Sequence, residues 1–230
     1  MPTAWETLKK ITKLSDYETL PASLRHEIEK TLEQVKKAET IYQLKIQLRG
    51  IRPPIWRRVL VPSDITFDQL HLIIQEAMGW GNYHLYQFET NDAIIDVPHP
   101  DDRFMTLWKD KLDSQKTPIK KYLSKEKQKV LYTYDFGDNW DHIITLEKIE
   151  KRIEPLTHPI CIKGSRACPP EDVGGVWGYQ DAIDMMKDDT RKQERQEFLE
   201  WYDEWYGDDF DPERFDIEEV NQRLATIRFK

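Results

Sequence analysis

The chain opens on a helical period. Leu24, Ile28, Leu32 and Val35 recur at spacings of four, four and three, which is one face of a helix. Ser15-Asp16-Tyr17-Glu18 has the form of a capping box, with the glutamate three residues after the serine. Residues 1–40 are therefore expected to form a helical hairpin packed on the main domain, or else a separate partner-binding module. At Ile41 the period drops to two. Tyr42, Leu44, Ile46 and Leu48 alternate with Gln43, Lys45, Gln47 and Arg49, the pattern of a half-buried strand. Gly50-Ile51-Arg52-Pro53-Pro54 interrupts it, and Ile55 to Val61 alternates again, so the pair reads as a hairpin.

A well-marked helix follows. Thr66 with Gln69 is a capping box flanked by Ile65 and Leu70 at the staple positions. Phe67, Leu70, Ile73, Ile74, Ala77 and Met78 make one apolar stripe, and Gly79 is a natural stop. Strands are expected at 84–88, 130–134 and 142–149, with a short helix near Leu107 to Leu112 in the polar stretch between the first two. After Pro155 the pattern reads as loop as far as Tyr179 and then as helix, with Asp216 and Glu219 capping a last helix that carries Ile217, Val220 and Leu224. Hairpin, helix, then further strands is the order of a β-grasp-like sheet, so the fold expected is α+β with C-terminal helices. The division expected is an N-terminal extension over 1–40 and an α+β domain over 41–230.

Composition narrows the class. The 230 residues carry a net charge of −8, with 33% charged residues and two cysteines. That excludes a disulfide scaffold, and no apolar run reaches membrane-spanning length, so a cytoplasmic protein with no membrane partner is expected. The acidic balance argues against generic affinity for a phosphate backbone, though a local basic patch escapes that argument.

Four segments could carry chemistry. Residues 49–58 hold four arginines and no acid. Arg52, Arg57 and Arg58, with Trp56 among them, are candidate ligands for phosphate or carboxylate. Alternation puts Arg57 and Arg58 on opposite faces of the sheet, so one enters the buried layer, where an internal ion pair would satisfy it. Asp135, Asp138, Asp141 and His142 crowd a turn and could hold a divalent cation, the one cofactor these residues suggest; turn chemistry alone accounts for them equally. Cys161 and Cys168 are separated by six residues, wider than an ordinary zinc knuckle. Buried thiols, a labile disulfide, a metal pair completed by His142 or His158, and a catalytic thiol all remain open. Residues 171–216 hold 16 acids against five bases. Trp201, Tyr202, Trp205 and Tyr206 recur there at helical spacing, as a core stripe or as an interaction helix for a basic protein.

Taken in order, these segments resemble the Ri-plasmid ORF-3-like family, some of whose members travel as TnpR-like transposon passengers. The resemblance rests on Pro53-Pro54-Ile55-Trp56-Arg57-Arg58, Gly79-Trp80, His84-Leu85, Tyr134-Asp135-Phe136-Gly137-Asp138, Cys168-Pro169-Pro170-Glu171-Asp172 with Gly174-Gly175, and Phe210-Asp211-Pro212. It implies an α+β domain and no defined reaction. Val173 stands where relatives often have a third cysteine, and Thr190-Arg191-Lys192 where many have histidines, which weakens a Cys/His zinc site. Three functional readings follow. One is a non-enzymatic binding or accessory module, linked to mobile elements or nucleic acid. The second is a metal-assisted phosphoester hydrolase or nuclease with Asp135, Asp138, Asp141, Glu171 and Asp172 around the ion, His142 as base or ligand and Arg57 as phosphate clamp. The third is purely structural. The second requires the aspartate-rich turn and the Cys-Pro-Pro-Glu-Asp loop to converge.

Overall fold

The computed structural model describes residues 17–98, 110–207 and 209–229. After a single 3-10 turn at Tyr17–Thr19 come α1 (Ala22–Lys36), the strands β1 (Glu39–Leu48) and β2 (Trp56–Pro62), and α2 (Phe67–Met78). Then follow β3 (Tyr86–Glu89), β4 (Ala93–Asp96), β5 (Asp110–Asp113), β6 (Lys129–Tyr134), β7 (Trp140–Arg152) and β8 (Ile160–Ser165). Three helices close the chain: α3 (Gly175–Lys187), α4 (Lys192–Tyr206) and α5 (Ile217–Leu224). The eight strands form one sheet in the order β5-β4-β3-β6-β7-β1-β2-β8, antiparallel throughout except for β4 with β5.

The hairpin–helix–strand order produces the expected α+β sheet with a helix across one face. Tyr42, Leu44 and Ile46 face that helix beside Val59, Val61, Tyr132, Ile144 and Leu146, all buried, while the alternate positions are half-exposed. From the helix side, α2 contributes Phe67, Leu70, Ile73, Ile74, Ala77 and Met78, every one buried. Its ends are fixed locally. The Thr66 hydroxyl accepts from Gln69 N (3.2 Å), the Gln69 side chain accepts from Thr66 N (2.9 Å), and both staple residues are buried. Gly79 takes the left-handed conformation (φ 86°) that ends the helix, donating to Gln75 O at 2.8 Å.

Several elements depart from expectation. The capping box at Ser15 and the start of the expected hairpin lie outside the described residues. The face of Leu24, Ile28, Leu32 and Val35 does lie on a helix, but none of the four is buried, and the strand begins at Glu39. Of the short helix expected near Leu107 to Leu112, residues 107–109 lie outside the described residues, and Asp110–Asp113 is a strand, since β4 presents an edge whose backbone groups it satisfies. The stretch expected to be loop contains β8, whose backbone pairs with the open edge of β2 despite an irregularity at Arg58/Val59. The aromatic stripe of α4 is not core. No residue of that helix is buried; Tyr202 stacks on Tyr206 (4.8 Å) and edges Phe210 (5.2 Å), while Trp205 is 71% exposed.

Leu70→Ala should therefore cost about 2–5 kcal/mol of unfolding free energy and Thr66→Ala about 1 kcal/mol. Leu24→Ser should stay within about 0.5 kcal/mol. Urea titrations of the three variants check the ranking, and a Leu24 effect as large as that of Leu70 would contradict it.

Candidate metal centre

Two polar side chains of α2 face the sheet, and their satisfaction sets the geometry of the site. Gln75 Nε2 donates to the Tyr132 hydroxyl at 3.0 Å. That hydroxyl then gives its own proton to His71 Nδ1 at 2.8 Å, which leaves His71 Nε2–H to donate to Asn82 Oδ1 at 2.7 Å. Asn82 N donates back to Gln75 Oε1 at 3.1 Å, closing a ring. His71 also stacks on Tyr86 with ring centres 3.6 Å apart. Burial pulls its pKa down to about 4, only partly offset by the bond to Asn82, so it works as a neutral imidazole.

A second tyrosine of the same strand ties in the proline-rich loop. The Tyr134 hydroxyl donates to Glu171 Oε1 at 2.5 Å and accepts from Tyr83 N at 3.0 Å. Glu171 Oε2 takes Gly81 N at 2.7 Å, and Trp80 Nε1 donates to Pro169 O at 2.9 Å. Residues 79–84 are thus held between α2, β6 and the loop at 168–172.

His84 stands at the end of that segment, with a carboxylate on each side. Its Nδ1 lies 3.8 Å from Asp135 Oδ1 and its Nε2 3.4 Å from Asp172 Oδ1. One donor atom from each of the three residues falls within 4.8 Å of the others. Nε2 is shut off from solvent and has no hydrogen-bond partner. Asp135 is mostly buried (11% of its side chain exposed), while Asp172 opens to solvent (70%). Asn82, Asp135 and Asp172 all have positive φ, between 56° and 59°. That costly conformation is tolerated best by Asn and Asp, and it collects where a surrounding structure imposes it. One imidazole and two carboxylates suit a divalent cation such as zinc, manganese or iron, and three donors leave coordination positions open. His84 also lines a groove of about 460 Å³ with His71, Asn82, Lys111 and Phe136. Leu72, Leu85, Val97 and Phe136 form exposed apolar lining on it.

Of the residues singled out in the sequence, Asp135 and Asp172 come together, so the aspartate-rich turn and the proline-rich loop do meet. Asp138 pins that meeting. Its carboxylate accepts from Gly174 N at 3.2 Å, and a Cβ on Gly175 would lie 2.5 Å from its carbonyl oxygen, so only glycine fits there. Asp141 accepts from Thr133 (2.7 Å) and pairs with Arg49 (3.2 Å). His142 is fully buried on β7, donating Nδ1–H to Trp140 O at 2.9 Å, and burial pulls it down to about 4. Glu171 is committed to Tyr134 and Gly81. Cys161 and Cys168 are free thiols, and burial pushes Cys168 up to about 12. Arg58 pairs with Glu147 (2.9 Å) on the outer sheet face and lies over Trp56 (5.0 Å). Arg52 is exposed. Arg57 is buried as alternation required, but its hydrogen bonds go to backbone carbonyls instead of a carboxylate. His84 is the residue that sequence reasoning passed over, noted only inside a motif and at a strand start; nothing local to it signals two carboxylates brought from fifty and ninety residues away.

The class defined by these features is an α+β sheet protein with a mixed imidazole–carboxylate cluster beside an apolar-rimmed groove. The chain belongs to the plasmid pRiA4b ORF-3-like protein family, whose profile matches residues 40–219. It is 31% identical over 193 residues to the uncharacterized protein y4hQ of Sinorhizobium fredii (strain NBRC 101917 / NGR234), covering 83% of this chain and 94% of that one. The crystal structure of a protein of unknown function, MM3350 from Methanosarcina mazei Go1, superposes with a TM-score of 0.67. Its sequence identity is 39%, and the match covers 79% of this chain and 97% of the other. No described helix is long and apolar enough to cross a membrane.

The buried histidines give a pH signature. His71 and His142 stay neutral in the fold with pKa values of about 4, whereas the unfolded chain protonates them near 6.5. Their contribution is complete above about pH 6.5, is lost as pH falls towards 4, and levels off below, at about 1.4 kcal/mol per unit of separation. His142→Asn, which can keep a donor towards Trp140 O, should flatten the fall in unfolding free energy between pH 6.5 and 4. Urea unfolding across that range measures it, and an unchanged slope would refute the assignment.

Proposed function

We propose that this protein is a metal-assisted hydrolase whose cation is held by His84, Asp135 and Asp172. The observation that carries the reading is the cluster itself: three donors from three separate segments within 4.8 Å, with the imidazole Nε2 withdrawn from water and left without a hydrogen bond. A cation there would supply the missing partner, polarise a substrate oxygen and acidify a bound water. Three protein donors leave positions for that water and for substrate. The groove's apolar lining, Leu72, Leu85, Val97 and Phe136, fits a substrate with an apolar body beside the bond to be cleaved. Lys111 lines this groove already paired with Asp96 at 3.1 Å, and Arg57 lines a different cavity, so a phosphate clamp is not supplied here by either.

The same exposed lining supports a second reading, an accessory module that docks a partner across the groove and uses the ion as a clamp. Nucleic-acid binding through the arginine-rich hairpin has less support. Arg49 and Arg58 already face Asp141 and Glu147.

Calorimetric titration of the full chain with manganese or zinc should show one site per chain. His84→Ala and Asp172→Asn should each weaken it by roughly tenfold or more. Asparagine tolerates the conformation of residue 172, so that variant removes charge without changing the backbone. Turnover of chromogenic carboxylic or phosphoric esters by the metal-loaded protein, absent in His84→Ala, supports the hydrolase. Binding without turnover favours the accessory module, and failure to bind either ion removes both readings.

A further inference from the structure

A second cavity, of about 300 Å³, has no lining residue in common with the groove, and its floor is a buried cation. Arg57 is 3% exposed. Its Nε donates to Ala77 O (3.1 Å) and its Nη1 to Trp56 O (3.0 Å) and Ser165 O (3.1 Å), while the guanidinium carbon lies 4.6 Å from the centre of the Phe215 ring. The stack depends on Gly164, where a Cβ would meet Phe215 at 2.4 Å. Among the described residues no carboxylate reaches Arg57, and Nη2 takes no partner. The two neighbouring thiols do not neutralise it, because burial raises the pKa of both Cys161 and Cys168. Carbonyl dipoles soften a buried charge but leave it uncompensated, and an arginine does not escape by losing its proton.

The rest of the cavity is graded. Arg223 stands nearer the opening, its Nε donating to Glu76 O at 3.0 Å and its Nη1 3.9 Å from Glu219. Tyr202, Tyr206, Pro169 and Pro170 wall the space, and the exposed carboxylates Asp209, Asp211 and Glu219 line it further out. Asp216 and Arg214 also line it, so the outer part carries charges of both signs. The unpaired positive charge is at the floor, within reach of a small anion that loses its water inside and not of a long polyanion. The Nη2 group of each arginine is left for a bound anion. Donors arriving from two side chains suit the three terminal oxygens of a phosphate better than the two of a carboxylate. The tyrosines and prolines offer flat apolar surface to whatever the phosphate carries.

From this arrangement we infer that the cavity floored by Arg57 and flanked by Arg223 is a binding site for a small phosphate monoester, separate from the metal centre. Inorganic phosphate and phenyl phosphate are the probes, titrated into the full chain by calorimetry in metal-free buffer at fixed ionic strength. Phosphate should bind saturably at one per chain, and phenyl phosphate more tightly if the walls hold an organic body; equal affinities assign the site to free phosphate. Arg223→Gln, at a half-exposed position, should weaken binding by roughly tenfold, and Arg57→Gln should abolish it. His84→Ala should leave it unchanged, which separates this site from the metal reading. Should Arg57→Gln fail to fold, Arg223→Gln decides alone. Absence of saturable binding by either probe, or Arg223→Gln binding phosphate as the unaltered chain does, overturns the inference.

Discussion

The hydroxyls of Tyr132 and Tyr134 fix the relation between the sheet and the loops above it. They project from one strand, two residues apart and therefore on the same face, into a layer otherwise filled by aliphatic side chains. A phenol buried there must find partners or lose the solvation it had in water. Tyr132 finds them in Gln75 and His71, Tyr134 in Glu171 and the backbone of Tyr83. Each solution draws a different segment inward, so one strand determines both where residues 79–84 run and where the proline-rich loop lands. His84, Asp135 and Asp172 meet because those two requirements are met together.

Elements with strong local signals were legible from the chain alone. The capping box at Thr66, the stripe from Phe67 to Met78 and the alternation from Tyr42 to Leu48 each state one conformation several times over. The short strands were not. β4 and β5 have four residues each, and their conformation is imposed by an edge that needs pairing, a non-local cause. The α4 stripe misled for a related reason: its aromatic period is genuine, but whether another element covers a stripe is settled outside the helix, and no residue of α4 is buried.

At the site, residue type was legible and partnership was not. The clustered aspartates and the Cys-Pro-Pro-Glu-Asp loop were visible as chemistry, and Asp135 and Asp172 do approach one another. His142 carried the obvious imidazole of the motif, yet strand alternation sends it into the core beside Trp80 and Tyr132. The imidazole at the cluster comes instead from residue 84, whose place depends on the buried ring through Asn82. Arg57 shows the same division. Its inward direction followed from the period of two, but three carbonyls and a phenyl face stand where a carboxylate was expected.

The two cavities have no lining residue in common, but the same two chain segments run past both. Gly79 and the run from Cys168 to Pro170 border the arginine pocket, while Gly81 and Glu171 brace the segment that ends at His84. The indole of Trp80 lies between, hydrogen-bonded to Pro169 O and stacked on Tyr134 at 5.0 Å. A ligand that ordered Cys168 to Pro170 would act on a strap whose other end carries Asp172, and a cation on Asp172 would act on it in reverse. Any coupling between the two must be equal in both directions, since it is a single free energy shared by two binding equilibria. Of the three cluster residues Asp172 is the most exposed, and it is held through its neighbours: Glu171 N donates to the Tyr206 hydroxyl and Gly174 N to Asp138. The charges differ between the two places the strap reaches: Asp135 and Asp172 stand together beside His84, while Arg57 has no carboxylate among the described residues.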